Sequence, residues 1–148
     1  TASGDKSTIG YIGEYNSGIS QATIPLLNQG GIMQISPSNT YAGLPTNKIP
    51  GTEPGEPNKY YPSGKRTYAR VPPSDSVQAA ALLLQMKSDG CKSAHVWNSK
   101  STYSAGLAKN FVDEAPKAGI TTRVAAAAKQ AKPAPPVAST PPARRSAT

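Results

Sequence analysis

The chain has 148 residues, with one cysteine, one histidine and a formal net charge of +8. A lone cysteine excludes an internal disulfide, and with only one histidine beside it there is no set of zinc ligands of that kind. Nor is the charge a nucleic-acid footprint: residues 121–148 hold five of the sixteen basic residues and no acid, leaving eleven basic against eight acidic side chains in residues 1–120, and one Trp with one Phe cannot build the stacking surface of a single-strand binder.

In chain order, Ile9 to Gly13 is a short apolar run bounded by glycine and predicts a buried strand. Ser17 then stands at the N-cap of a helix whose apolar stripe is Ile19, Ala22, Leu26 and Leu27 and which ends at Gly30-Gly31. Pro25 removes one internal hydrogen bond and predicts a kink there. Ile32 to Ser36 is a second strand, stopped by Pro37. Strand, helix and strand in that spacing form the βαβ unit of a parallel sheet.

Residues 41–65 are rich in Pro, Gly, Asn and Lys with hardly any aliphatic side chains, which predicts a long surface loop or lid. Regular structure resumes at Thr67 to Val71. After Pro72-Pro73, Ser74 caps a helix carrying Val77, Ala80, Ala81 and Leu84 and closed by Gly90. Ser93 to Trp97 predicts another strand, and Ser101 or Thr102 opens a helix through Leu107, Ala108, Phe111, Val112 and Ala115 to Gly119, with Pro116 interrupting its end. The βαβ pattern recurs, so the fold class expected is α/β: a doubly wound parallel sheet in three αβα layers. Residues 121–148, almost entirely Ala, Pro, Lys, Arg, Ser, Thr and Val, are expected to be a disordered tail. About 120 residues then remain for a core, enough for a small domain that buries about two thirds of its unfolded surface. No run reaches the roughly 18 apolar residues of a membrane span, and Thr1 to Ser7 has no leader pattern. The residues alone therefore leave either the cytosol or a compartment reached after removal of a leader.

In open parallel sheets, ligands collect at the carboxyl ends of strands beside helix N-termini. Those positions are hydroxyl-rich here: Asn16-Ser17-Gly18, then Ser36-Pro37-Ser38-Asn39-Thr40, then Asn98-Ser99-Lys100-Ser101-Thr102-Tyr103. A Ser hydroxyl with free N–H groups at a helix start suits a carboxylate, and carbonyls with a Thr hydroxyl can accept from an ammonium, a combination that fits a zwitterion. Each residue also has an ordinary explanation: Ser17 as a cap, Ser38 to Thr40 as a Pro-initiated turn, Tyr103 as a half-exposed side chain at a helix start.

The run Tyr11 to Ser20 followed by Ile24 to Thr40 resembles the ligand-binding core of the leucine/isoleucine/valine-binding protein family, the substrate-binding components of ABC-type branched-chain amino-acid importers. Thr67-Tyr68-Ala69-Arg70-Val71-Pro72-Pro73-Ser74-Asp75 resembles that family's first crossing strand, and Tyr103 to Ala108 its Tyr-Gly-x-Gly-Leu-Ala segment. The likeness covers residues 9–120 apart from the enlarged loop. It implies a type I periplasmic-binding-protein fold, present in part: residues 1–66 in the first lobe with the loop 41–65, 67–73 as the crossing strand between lobes, and 74–120 in the second lobe. It further implies that Ser17 binds a ligand carboxylate, that Ser38 through its carbonyl and Thr40 through its hydroxyl and N–H hold the amino-acid head group, and that Tyr103 closes from the second lobe. The implied ligand is a branched-chain or other aliphatic amino acid, and the implied partner is a membrane ABC permease. The resemblance places the protein in the periplasm or outside the cell, with a membrane anchor compatible, as a monomer without cofactor, metal or nucleic acid. The family's opening βαβ segment and the rest of its second lobe, with the acid that neutralises the ligand ammonium, have no counterpart in this sequence.

Catalytic readings fail on inventory. His95 lies inside a predicted strand, Asn16-Ser17-Gly18 lacks the Gly-x-Ser-x-Gly elbow, and the adjacent Asp113 and Glu114 point apart on a helix. Gly10 and Gly13 complete no dinucleotide fingerprint, and Cys91 has no base beside it in sequence. The expectation is a non-enzymatic solute-binding protein. The alternative is a truncated, non-binding chain or an interaction module whose basic tail contacts anionic surfaces.

Overall fold

The computed structural model describes residues 2–125. Its strands are β1 (Gly10–Ile12), β2 (Met33–Ser36), β3 (Tyr68–Arg70), β4 (Ser93–Val96) and β5 (Thr121–Val124); its α-helices are α1 (Ser17–Gln29), α2 (Asp75–Ser88) and α3 (Thr102–Glu114). They form two all-parallel sheets, one of order β1-β2-β3 and one pairing β4 with β5. The α/β class with parallel sheets and flanking helices is therefore as the patterning predicts, and the two βαβ blocks build two sheets rather than one.

Register explains how the first sheet is used. Tyr11 lies beside Gln34, and Gln34 beside Tyr68, so these share the face against α1; Ile12 and Ile35 share the other. Along β2 the buried residues are the polar Gln34 and Ser36, while Met33 and Ile35 are exposed. The α1-facing side of this strand is thus polar and hydrogen-bonded, which shapes the candidate site described below.

Several expectations are corrected. Asn16, not Ser17, caps α1: its backbone is extended and its carboxamide accepts from the Gly18 N–H at 2.8 Å. This begins the helix at Ser17. The helix runs on through Pro25 to Gln29. Its buried side consists of Ser17, Ser20, Ile24, Leu27 and Asn28, leaving Ile19 and Leu26 more than half exposed. On α2 the buried residues are Asp75, Ala79 and Leu83, whereas Val77 and Leu84 are exposed, because α2 packs on α3 through the next face round. That contact carries the second core: Ala79, Leu83, Phe111, Ala115 and Ile120, with Met86, Val96 and Leu107 packed beside them.

Segment 41–65 is irregular, as a loop is expected to be, apart from the short turn Asn58–Tyr60, but it is not confined to the surface. Tyr41, Leu44, Tyr60 and Tyr61 are buried with Ile24 and Tyr68 as the core of the first part. Counting aliphatic residues misses them because the segment supplies its apolar area as tyrosine rings, which bury a large surface provided the hydroxyl finds a partner. They do: Tyr41 and Tyr60 donate to the Glu56 carboxylate, at 2.8 and 2.5 Å, and Tyr61 donates to the Leu44 carbonyl at 2.9 Å. Glu56, only 3% exposed, also accepts from the Glu53 N–H at 2.8 Å and pairs with Lys59 at 3.2 Å. The close approach explains Gly43, where an added Cβ would fall 1.8 Å from Glu56 Oε2.

The tail reading is also corrected at its start. Gly119 turns the chain with φ of 74°, Ile120 is buried, and Thr121–Val124 pairs with β4 from a Thr121 N–H to Lys92 carbonyl bond to an Ala125 N–H to Val96 carbonyl bond, each 3.0 Å. The β-branched Thr121, Thr122 and Val124 favour this strand, although composition groups them with the Pro/Ala-rich residues after them. The remainder of the predicted tail, residues 126–148, lies outside the described residues.

Candidate functional site

The site begins with buried polar side chains that tie two strand-end loops together. From the loop after β2, the Ser36 hydroxyl donates to the Glu14 carbonyl at 2.7 Å and accepts the N–H groups of Ser38 and Asn39 at 3.2 and 2.9 Å. The Asn39 carboxamide donates to the carbonyls of Glu14 and Tyr15, both at 3.0 Å, and its oxygen accepts from Tyr68 at 3.1 Å and from Ser20. Gln34 donates to the Gly13 carbonyl and the Ser20 hydroxyl, each at 3.1 Å. Ser20, Gln34, Ser36 and Asn39 are each 0% exposed. Burial would make every lost partner costly, so the network fixes residues 14–16 against residues 36–40. Of these four positioning residues, Ser36 and Asn39 lie in a strand-end run that the sequence marks as hydroxyl-rich, whereas Ser20 and Gln34 carry no sequence signal beyond the polar Gln34 and Ser36 alternating within β2.

The structure brings together all four residues singled out above. Ser17, Ser38, Thr40 and Tyr103 line one cavity of about 220 Å³, joined by Tyr15 and Asn16. Ser17 is at the first helical position of α1 and 3% exposed, and with Asn16 occupied by Gly18, its hydroxyl and N–H have no protein partner among the described residues. The Ser38 hydroxyl donates to the Tyr15 carbonyl at 2.5 Å. Its backbone carbonyl and the lone pairs of its hydroxyl, acceptors both, are then what Ser38 can still offer. Tyr103, 37% exposed, comes from the first turn of α3, whose N-cap Ser101 accepts from the Ser104 N–H. The starts of two thirteen-residue helices therefore flank the cavity, and their unpaired N–H groups and dipoles favour an anion.

Behind Thr40 lies Asp75, the first residue of α2, whose N–H donates to the Thr40 carbonyl at 2.9 Å. Asp75 is fully buried and neither carboxylate oxygen has a hydrogen-bond partner. Burial pushes its carboxyl above the usual range, opposed by the nearby Thr40 side chain and the Arg70 guanidinium. Arg70 itself donates to the Tyr41 carbonyl at 2.7 Å. Sequence reading placed no weight on Asp75 beyond a helix start, because its burial is created by the packing of Tyr41 and Gly106 around it. Helix N-termini thus meet the cavity at Ser17 and Tyr103, while Asp75, which does not line it, lies behind Thr40 beside the Arg70 guanidinium.

No protein-family model matches the sequence, and no curated protein matches it. Solved structures do. An ABC transporter substrate-binding protein from Desulfitobacterium hafniense is 24% identical with a TM-score of 0.62, over 83% of this chain and 32% of that one. A structure of an ABC transporter substrate-binding protein from the same organism in complex with Leu is 24% identical with a TM-score of 0.64, over 86% and 34%. The leucine-binding protein LivK from Thermotoga maritima is 22% identical with a TM-score of 0.64, over 84% and 33%. The chain spans about a third of the length of these structures. At such identities the likeness establishes the fold, the parallel α/β fold of substrate-binding proteins.

Proposed function

We propose that the cavity between α1, the loop after β2 and α3 binds the head group of an amino acid, and that the chain is the ligand-binding part of a solute-binding protein serving ABC-type import. The observation that carries this reading is the convergence of Ser17, Ser38, Thr40 and Tyr103 on one small cavity. At about 220 Å³ it is smaller than the roughly 300–1,000 Å³ of pockets for drug-sized ligands, which suits a small zwitterion. In the proposed geometry the ligand carboxylate takes the free hydroxyl and N–H of Ser17 at the positive end of α1. The ammonium takes the Ser38 carbonyl and the Thr40 hydroxyl, with Asp75 behind as counter-charge. A buried charge needs a partner of opposite sign, and the unpartnered Asp75 supplies one within this chain. Tyr103 covers the ligand from the far side when the parts close, a hinge motion that an import permease can read.

The solved relative in complex with Leu supports an aliphatic amino acid as ligand. The reading is non-enzymatic, and as a proposal it carries a periplasmic or extracellular location, a monomer and an ABC permease as partner. It is tested by calorimetry and thermal melts of the full chain with leucine, isoleucine, valine, alanine and acetamide in turn. One amino acid should raise the melting temperature by mass action, and Ser17→Ala and Thr40→Val should each weaken it about 10- to 100-fold, the equivalent of one hydrogen bond to a charged group. Absence of any shift with all five compounds would sink the reading.

A further inference from the structure

A second hydrogen-bonded chain leaves the buried Glu56 and ends at the cavity wall. Glu56, ionised, can only accept, so Tyr60 and Tyr41 must both donate their phenol protons to it. The Tyr60 oxygen then keeps lone pairs for the Gln21 amide, whose Nε2 donates to it at 2.8 Å. With its nitrogen committed to Tyr60, Gln21 presents Oε1 to the Thr102 hydroxyl, which donates at 2.9 Å. The direction of every bond follows from one acceptor-only group in segment 41–65. Thr102 heads α3 and immediately precedes Tyr103. One turn earlier on α1, Gly18 lies so near that an added Cβ would sit 3.3 Å from Thr102 Oγ1.

We propose that Gln21 is a positioning residue for cleft closure: segment 41–65, anchored at Glu56, orients the Gln21 amide so that it latches Thr102 and with it Tyr103. The proposal rests on the amino-acid-binding reading of the cavity. A few ångströms of withdrawal by α3 would break the 2.9 Å contact. Both groups are only part-buried and can then take water instead, so the latch opens without leaving an unpaired polar atom. A hydrophobic contact at the same place would resist opening, and a charged pair would bind the parts regardless of ligand. Segment 41–65 thereby acts on the cleft without lining the cavity.

The experiment has one arm that needs no ligand. Hydrogen exchange of the full chain is followed at Ser104 and Ala105, the first amides of α3 to be held, by the Ser101 hydroxyl and carbonyl, for wild type, Gln21→Ala, Thr102→Val and the double variant. Exchange should rise to the same extent in all three variants, since either change removes the same bond. Unchanged exchange, or additive effects in the double variant, would overturn the latch. Glu56→Gln should also raise exchange at Ser104 and Ala105, which its side chain does not touch; if that variant does not fold, the Gln21 and Thr102 cycle decides alone. In the second arm, leucine release is timed by stopped flow. Gln21→Ala should speed it roughly 2- to 12-fold, the equivalent of one neutral hydrogen bond, with association unchanged. A release rate equal to wild type would refute the latch, whereas a wild-type chain that binds none of the test compounds refutes the binding reading and leaves the exchange cycle to judge the latch.

Discussion

Replacing Tyr41 and Tyr61 separately by Phe makes the same covalent change at two equally buried rings, 3% and 4% exposed, with different partners. Tyr41 donates at 2.8 Å to the ionised Glu56, and Tyr61 donates at 2.9 Å to the neutral Leu44 carbonyl. A hydrogen bond to a charged group contributes about 1.5–3 kcal/mol net and a neutral one about 0.5–1.5 kcal/mol. Ring burial and core packing cancel in the comparison. The Glu56 oxygen that loses Tyr41 keeps the Glu53 N–H, so the cost stays near the single-bond value instead of that of an orphaned carboxylate. Tyr41→Phe is therefore expected to cost about twice as much as Tyr61→Phe, or about 6–12 °C against 2–6 °C in melting temperature at about 4 °C per kcal/mol for a chain of this size. Urea unfolding at pH 7 followed by circular dichroism, with m unchanged, gives both values. Equal costs, or a larger one for Tyr61→Phe, would refute the assignment of Glu56 as the charged centre of this core.

Acid should act through the same carboxylate. Burial pushes the Glu56 carboxyl up, but the Glu53 N–H, Tyr60, Tyr41 and Lys59 outweigh it and hold it below the usual carboxylate range. Its contribution is thus full above the unfolded pKa of roughly 4.3 and is lost as pH falls through the lower folded value. Melts across pH 2–6 should show this acid limb, and Tyr41→Phe should move it to higher pH. Asp75 has the opposite sign: its raised folded pKa makes the stabilising form the protonated one, lost as pH rises. Asp75→Asn should therefore melt at or above wild type at pH 7, with the difference fading below about pH 4, while amino-acid binding weakens; a large loss of stability at pH 7 would contradict the unpartnered carboxylate. Gly43→Ala would force a Cβ to 1.8 Å from Glu56 Oε2 and 2.7 Å from the Tyr41 ring. It should cost about 2–3 kcal/mol or more, as overpacking a buried network does, measured by the same urea titration.

The order of strands and helices was readable from the residues because short apolar runs bounded by Gly and Pro, followed by capped helical stretches, are local signals. So were the hydroxyl-rich runs at strand ends and helix starts, within which the family resemblance singled out Ser17, Ser38, Thr40 and Tyr103. What was not local was misread. Segment 41–65 looked like a lid because its apolar area is tyrosine, and whether a tyrosine is core depends on Glu56 being within reach of its hydroxyl. The burial of Ser20, Gln34, Ser36 and Asn39 was not legible for the same reason: a polar side chain can be buried only when the fold brings its partners, and those partners lie up to 29 residues away. The helix faces failed likewise, Leu83 turning inward and Leu84 outward according to where α3 lies. Local pattern thus determined the elements and the chemistry available at their ends. The tertiary structure alone decided which polar groups were paired, and so why burial is offset at Glu56 and left unopposed by any hydrogen bond at Asp75.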